Sequence, residues 1–182
     1  TLDLPLDILV PRGLSVSEGV RRTVELGVEV VSEAERRGLL HKVVPVLQGY
    51  NSPSQWLECL DLYKQHGITP QRFRLWGVGS LCMARSSKLT YTVLLELRKA
   101  LGDAGIHVFG INLKHLRKMF NLINSYDTSA WVYWAKIDGA VLVWSPRKRA
   151  FIHLQARTNH KYDTRTLLDI NLRQIMAMHE WF

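Results

Sequence analysis

Short apolar runs alternate with longer amphipathic stretches along most of the chain. Each run has the length of a buried strand and ends at a proline, a glycine or a polar residue. Strands that alternate with helices at this spacing predict parallel β/α units. The five predicted strands are Leu6–Val10, Val43–Leu47, Phe73–Val78, Ile106–Phe109 and Leu122–Ser125.

The helices between these strands have recognisable start and stop signals. Ser15 and Glu18 have the spacing of a capping box, and apolar residues then recur with a helical period as far as Gly38. Ser52 is a predicted N-cap that is followed directly by a proline. A strong amphipathic helix, Leu89–Leu101, ends at a glycine.

The predicted fold class is α/β, of the (β/α)8 TIM-barrel type, with only about five β/α units in this chain. Five strands cannot close an eight-stranded barrel, so the chain is expected to be a partial barrel or a fragment that lacks an N-terminal half. We expect residues 1–137 to form the C-terminal half of the barrel. Residues 138–182 break the alternation and predict a basic hairpin, Ala140–Trp144 with Ala150–Leu154, and a terminal helix over Thr166–Trp181.

Composition changes this picture by indicating a polyanionic partner. The chain has 182 residues, is 47% hydrophobic and carries a formal net charge of +8, which favours nucleic acid. No apolar run is long enough to span a membrane, so we expect a soluble, cytoplasmic protein. The basic residues predicted to contact the nucleic-acid backbone are Arg147, Lys148, Arg149, Arg157 and Lys161. An ordinary solvated basic surface is the alternative.

The two cysteines, Cys59 and Cys82, are isolated in apolar surroundings. They predict buried thiols rather than a disulfide framework or a zinc site. We therefore expect no metal and no cofactor.

Polar residues and glycines collect where the predicted strands end. Because the carboxyl ends of parallel strands meet at one end of a β/α barrel, these residues are expected to form a site. Carboxylate and carboxamide groups suit the edge of a purine, and glycines let the backbone approach a flat ring. The residues are Asp7, Gln48, Gly49, Gly79, Ser80, Gly110 and Asp127.

The order of these segments resembles the tRNA-guanine transglycosylase superfamily. Leu47-Gln48-Gly49 is similar to its Gln-Gly strand end, and Gly77-Val78-Gly79-Ser80-Leu81 to its Val-Gly-Gly-Leu loop, with serine in place of the second glycine. His107-Val108-Phe109-Gly110 resembles the strand that ends in Met-Gly, and Ser125-Tyr126-Asp127-Thr128 the segment with the nucleophilic aspartate. Asn171-Leu172 is similar to a pair in the last helix of the family.

The resemblance implies a pentosyltransferase that replaces guanine with a 7-deazaguanine in tRNA or DNA, as in queuosine or archaeosine formation. Asp127 would be the nucleophile and form a covalent glycosyl intermediate. Asp7, Gln48, Gly49, Gly79, Ser80 and Gly110 would bind the base, which must first leave its stack. The implied partners are tRNA or DNA and a free guanine or 7-deazaguanine base. Self-association is a further expectation.

Two departures separate the chain from an ordinary member of the superfamily. Residues 138–165 contain no cysteine for the usual zinc site, and the Asp-Ser-Gly-Gly-Phe motif occurs nowhere in the sequence. The resemblance is therefore to a divergent, zinc-free member and to the C-terminal part of its barrel. A catalytically inactive barrel subunit that binds nucleic acid or a partner protein is the alternative function.

Structural roles also compete for individual residues. Asp127 suits an N-cap of the helix that follows it. Gln48 suits a cap of the helix after Pro53, and Asp7 a loop anchor. His107, within an apolar strand, is interpreted as a core histidine.

Overall fold

A computed structural model describes residues 4–81, 86–112, 116, 118–136, 139–145, 147–148, 150–155 and 164–177. The helices are α1 (Leu6–Leu9), α2 (Val16–Arg36), α3 (Pro53–Gln65), α4 (Ser87–Leu101), α5 (Ala130–Lys136) and α6 (Thr164–Ala177). The strands are β1 (Val46–Leu47), β2 (Leu75–Val78), β3 (Gly105–Val108), β4 (Ser125–Tyr126), β5 (Ala140–Ser145) and β6 (Ala150–Gln155). Short 3-10 helices occupy Val10–Arg12, Leu40–Lys42 and Phe120–Leu122. The chain divides into two compact units, Thr1–Ile111 with Lys118–Asp127 and Asn112–Arg117 with Thr128–Phe182.

The first unit contains a four-stranded parallel sheet in the order β1-β2-β3-β4. Each strand lies beside the next one in sequence, so right-handed crossovers place α3 and α4 on the same face of the sheet. The packing of α3 against both α2 and α4 agrees with this arrangement. The α/β class is thus confirmed, whereas the described residues form no closed barrel, and the partial barrel stays a prediction.

The prediction of a strand at the start of the chain is wrong. Leu6–Leu9 is one turn of α-helix, followed directly by a 3-10 helix. The amide groups of Ile8 and Leu9 both donate to the carbonyl of Pro5, so the backbone hydrogen bonds of this segment are local. A short apolar run does not by itself distinguish a strand from a buried helical turn. Four parallel strands are therefore described rather than five.

The predicted helix starts are confirmed. The hydroxyl of Ser15 accepts from the amide of Glu18 at the start of α2. At the start of α3, Ser52 forms a complete capping box with Gln55, and Pro53 occupies the first turn. Gln55, rather than Gln48, supplies this cap.

Aromatic side chains fill the space between the sheet and its helices. Trp56 and Trp76 are fully buried, and Tyr63 meets Trp76 edge to face with ring centroids 5.8 Å apart. The hydroxyl of Tyr63 donates to the carbonyl of Thr23, which ties α3 to α2. This core fixes the helical layer against which β1 and β2 lie.

Cys59 lies within the same core, and burial raises the pKa of its thiol from 9.0 to about 12. As the pH rises above 9.0, the unfolded chain loses the thiol proton while the folded chain keeps it. We expect the free energy of unfolding to fall over this range, measured in urea from neutral pH to about 11. In Cys59→Ala the free energy of unfolding should fall less steeply with pH. The same slope in this variant and in the unsubstituted protein would contradict the raised pKa of the Cys59 thiol.

The second unit is organised around a buried asparagine. Strands β5 and β6 form an antiparallel hairpin, as predicted, and α6 forms the predicted terminal helix as far as Ala177. The Asn171 carboxamide accepts from the amide of Leu142 at 2.7 Å and donates to the carbonyls of Trp131 and Ala140. One side chain of α6 therefore satisfies backbone groups of both α5 and β5.

Within the described residues, no helix is both long enough and apolar enough to cross a membrane.

Candidate functional site

The parallel register places three of the predicted strand-end residues, Gln48, Gly79 and Asp127, in one row. Val46, Gly77, His107 and Ser125 are paired across the four strands. The ladder continues beyond them, because the amides of Gly79, Phe109 and Asp127 each donate to the neighbouring strand. Side chains two residues apart in a strand lie on the same face. The next row on that face is therefore Gln48, Gly79, Phe109 and Asp127.

This row lies on the face of the sheet opposite to the apolar one. Leu47, Val78 and Val108 are fully buried on the alternate face, with the helical layer. The polar strand-end positions are thus separated from the core by the pleat of the sheet.

Gln48 and Ser80 form a buried polar pair at the ends of β1 and β2. The Ser80 hydroxyl donates to the Gln48 carboxamide oxygen and accepts from the amide of Leu6 at 2.8 Å. A side chain at Gly79 would collide with the Gln48 carboxamide. Glycine is therefore required at this position for Gln48 to lie across the end of β2.

Ser80 has an unusual backbone conformation. Its φ is 58°, the only positive value at a non-glycine position in the described part of the chain. The left-handed region is one that L-residues with a side chain rarely adopt. The two hydrogen bonds of its hydroxyl compensate for this conformation. They account for a serine at the position where the Val-Gly-Gly-Leu loop of the tRNA-guanine transglycosylases has its second glycine.

Gly49 and Trp56 fix the position of the same two strand ends. The indole of Trp56 donates to the carbonyl of Gly79 at 3.1 Å. A side chain at Gly49 would collide with the indole ring. Trp56 therefore connects the end of β1 to the end of β2 from the helical layer.

Asp127 is held at the end of β4 by the end of β3. Its carboxylate Oδ1 accepts from the amide of Gly110, and its own carbonyl accepts from the amide of Ile111 at 3.2 Å. The side chain is 57% exposed. At the start of α5 the hydroxyl of Thr128 accepts from the amide of Ala130. The described contacts of the Asp127 carboxylate are thus with β3, unlike those of a helix cap.

His107 is a site residue that sequence reasoning missed. Its Nε2 lies 3.7 Å from Oδ2 of Asp127, and its Nδ1 lies 2.9 Å from the hydroxyl of Ser125. The ring is 23% exposed and meets Phe109 edge to face. The sequence signal was its spacing: His107 stands two residues before Phe109, so its side chain lies on the same face of the sheet as Phe109 and Asp127.

Asp7 does not occupy a strand end. It lies half-buried in the first turn of α1, and its Oδ1 is buried. The neighbouring amide of Leu6 donates to Ser80, so α1 does approach the Gln48 pair. The structure thus brings the Asp7 segment to the site by a route other than the predicted one.

Two of the five residues that are predicted to contact phosphates lie in the described part of the chain. Arg147 and Lys148 are exposed in the turn between β5 and β6. The amide of Lys148 donates to the Ser145 hydroxyl at 3.3 Å. Arg149, Arg157 and Lys161 lie outside the described residues. Among those that are described, no group of three or more His, Cys, Asp or Glu side chains could hold a metal ion.

The parallel sheet carries glycine, carboxamide and carboxylate groups in one row at the carboxyl ends of its strands, which is where β/α proteins place their active sites. The model of the family DpdA: DeoxyPurine in DNA protein A matches residues 4–148. The chain belongs to this family, which is tRNA-guanine transglycosylase-like and is involved in 7-deazaguanine modification of DNA. No curated protein matches the chain.

Proposed function

We propose that this chain carries the base-exchange site of a DNA transglycosylase, which replaces guanine in DNA with a 7-deazaguanine. One observation carries the proposal: the exposed carboxylate of Asp127 lies at the carboxyl end of a parallel sheet, in the same row as Gln48 and Gly79. This carboxylate accepts a hydrogen bond from the amide of Gly110. Membership of the DpdA family supports DNA as the polymer.

In the proposed reaction, a carboxylate oxygen of Asp127 attacks C1′ of the deoxyribose. The C1′–N9 bond breaks as the C1′–O bond forms, and guanine leaves with the electron pair and takes up a proton. The incoming base then loses its N9 proton, attacks C1′ and releases the carboxylate. An ionised aspartate suits both steps, because it is a nucleophile and also stabilises positive charge on the sugar.

The spacing of the strands fits a nucleotide lying across the row. Gly79, directly after β2, is two strand spacings from Asp127, directly after β4, which is about 10 Å. With C1′ at Asp127, the outer edge of the base would point towards Gly79 and the Gln48–Ser80 pair. We propose that Gln48, Gly49, Gly79, Ser80 and Gly110 bind the base, and that Asp7 acts from α1.

A partial barrel would explain why polar groups collect at the strand ends on one face of the sheet. The sequential strand order places α3 and α4 outside the sheet, so the Asp127 row would face the inside of a β/α barrel. The sequence contains no Asp-Ser-Gly-Gly-Phe motif. We propose that the second catalytic carboxylate, which the resemblance assigns to that motif, comes from outside these 182 residues.

The basic turn of the hairpin would hold the DNA backbone. Arg147 and Lys148 are exposed there, and we propose that they contact phosphates together with Arg149, Arg157 and Lys161. Each phosphate contact that is lost should make the salt dependence of DNA binding less steep, by about 1 in the logarithmic slope.

The test is base exchange by the intact protein, with labelled guanine and labelled 7-deazaguanine bases offered to duplex DNA and to tRNA. We expect incorporation into DNA together with a covalent protein–DNA adduct. Incorporation into tRNA alone would contradict the DNA assignment. DNA binding without exchange or adduct would overturn the proposed chemistry and favour an inactive binding subunit.

A further inference from the structure

We propose that His107 is a positioning residue, which together with Ser125 fixes the carboxylate of Asp127 for attack on C1′. The inference rests on the proposed function of Asp127. It assigns to the half-buried histidine of β3 a role in the rate of adduct formation rather than in the core.

Both carboxylate oxygens of Asp127 face groups of β3 or of the two residues that follow it. Oδ1 accepts from the backbone amide of Gly110, and Oδ2 lies 3.7 Å from Nε2 of His107. The second separation is longer than a hydrogen bond. Contacts of this kind are often long before substrate binds, and they tighten when the substrate excludes water. Two donors on one carboxylate would define the plane in which its lone pairs lie.

The Nδ1 atom of His107 lies within hydrogen-bond distance of the Ser125 hydroxyl, and the tautomer of the ring depends on which of the two donates. When the Ser125 hydroxyl donates to Nδ1, at 2.9 Å, the ring proton of neutral imidazole resides on Nε2 and points towards Asp127. The chain Ser125–His107–Asp127 then has the order of an orienting group, an imidazole and a nucleophile. A hydrogen bond from His107 Nε2 would also stabilise the Asp127 carboxylate when the incoming base displaces that carboxylate from C1′.

The ring of His107 is held in place from its other side. Phe109 meets it edge to face, with centroids 4.7 Å apart. Phe109 itself lies over Gly77, where any side chain would contact the phenyl ring at 2.6 Å. Because Gly77 has no side chain, β2 leaves room for the Phe109 ring that orients His107.

A purely structural role predicts a different pattern of effects. Asp127 is 57% exposed, and a polar contact of such an exposed carboxylate contributes little to stability. Loss of the His107 contact should therefore leave the free energy of unfolding nearly unchanged. A misoriented nucleophile, in contrast, can slow the reaction by about 100-fold.

The experiment measures single-turnover formation and breakdown of the covalent adduct on duplex DNA by the intact protein. The variants are His107→Gln, which can place an amide donor near the Nε2 position, and His107→Phe, which keeps a planar ring but has no donor. We expect His107→Phe to slow adduct formation by about 100-fold at saturating DNA, with DNA affinity unchanged. His107→Gln should recover a large part of the rate.

Ser125→Ala provides an independent test that leaves the imidazole in place. We expect Ser125→Ala to slow adduct formation by about 10-fold in the otherwise unsubstituted protein. It should have no further effect when combined with His107→Phe, because both changes remove the imidazole donor that orients the Asp127 carboxylate. Equal adduct rates in the parent and His107→Phe would overturn the inference while leaving the proposed function intact. Absence of adduct in the parent would instead remove the proposed function itself.

Discussion

Asp127→Asn is expected to abolish base exchange and the covalent adduct, with a loss of at least about 1,000-fold. The carboxamide nearly preserves the shape of the side chain and can still accept from the amide of Gly110, but it is neutral and a poor nucleophile. The measurements are incorporation of labelled base and adduct trapping on duplex DNA. DNA affinity should stay within about two-fold, since the change removes no cation.

Asp61→Asn is the matched control for this substitution. Asp61 is an exposed aspartate on α3 that pairs with Lys64, and such a surface pair contributes little to stability. Parental activity in Asp61→Asn together with full loss in Asp127→Asn would assign the chemistry to Asp127. Retention of exchange by Asp127→Asn would show that another group forms the intermediate.

Trp56→Ala is expected to have the largest effect on stability, a loss of about 4 kcal/mol in the free energy of unfolding. The side chain is fully buried, packs against Gly49 and donates to the carbonyl of Gly79. Its removal leaves a cavity and an unpaired backbone carbonyl beneath the ends of β1 and β2. Urea unfolding monitored by far-ultraviolet circular dichroism measures the effect.

Trp56→Phe separates the hydrogen bond from the volume. Phenylalanine fills much of the space but cannot donate to Gly79. We expect this variant to remain folded, with a loss of about 2 kcal/mol and a larger effect on base exchange than on DNA affinity. A cost within about 0.5 kcal/mol for Trp56→Ala would contradict the packing described for α3.

The amino-acid sequence was sufficient to predict two helix starts and three strand-end positions of the first unit. Ser15 and Ser52 mark helix starts because capping depends on side chains within three residues of each other. Gln48, Gly79 and Asp127 could be placed at strand ends because parallel strands that alternate with helices all present their carboxyl ends at one edge. Their common face follows from strand register, which the structure supplies.

Contacts between segments that are distant in the sequence account for the features that local patterns do not predict. Leu6–Leu9 is a helical turn rather than a strand, and the amide of Leu6 at its start donates to Ser80, 74 residues further along the chain. The Gln48 side chain accepts from Ser80 and does not supply the cap of α3. The register of β1 and β2 brings the ends of these two strands together. His107 joins Asp127 only through the pairing of β3 with β4. Hydrophobic periodicity reports which face a residue occupies, whereas hydrogen-bond partners across strands are determined only when the sheet assembles.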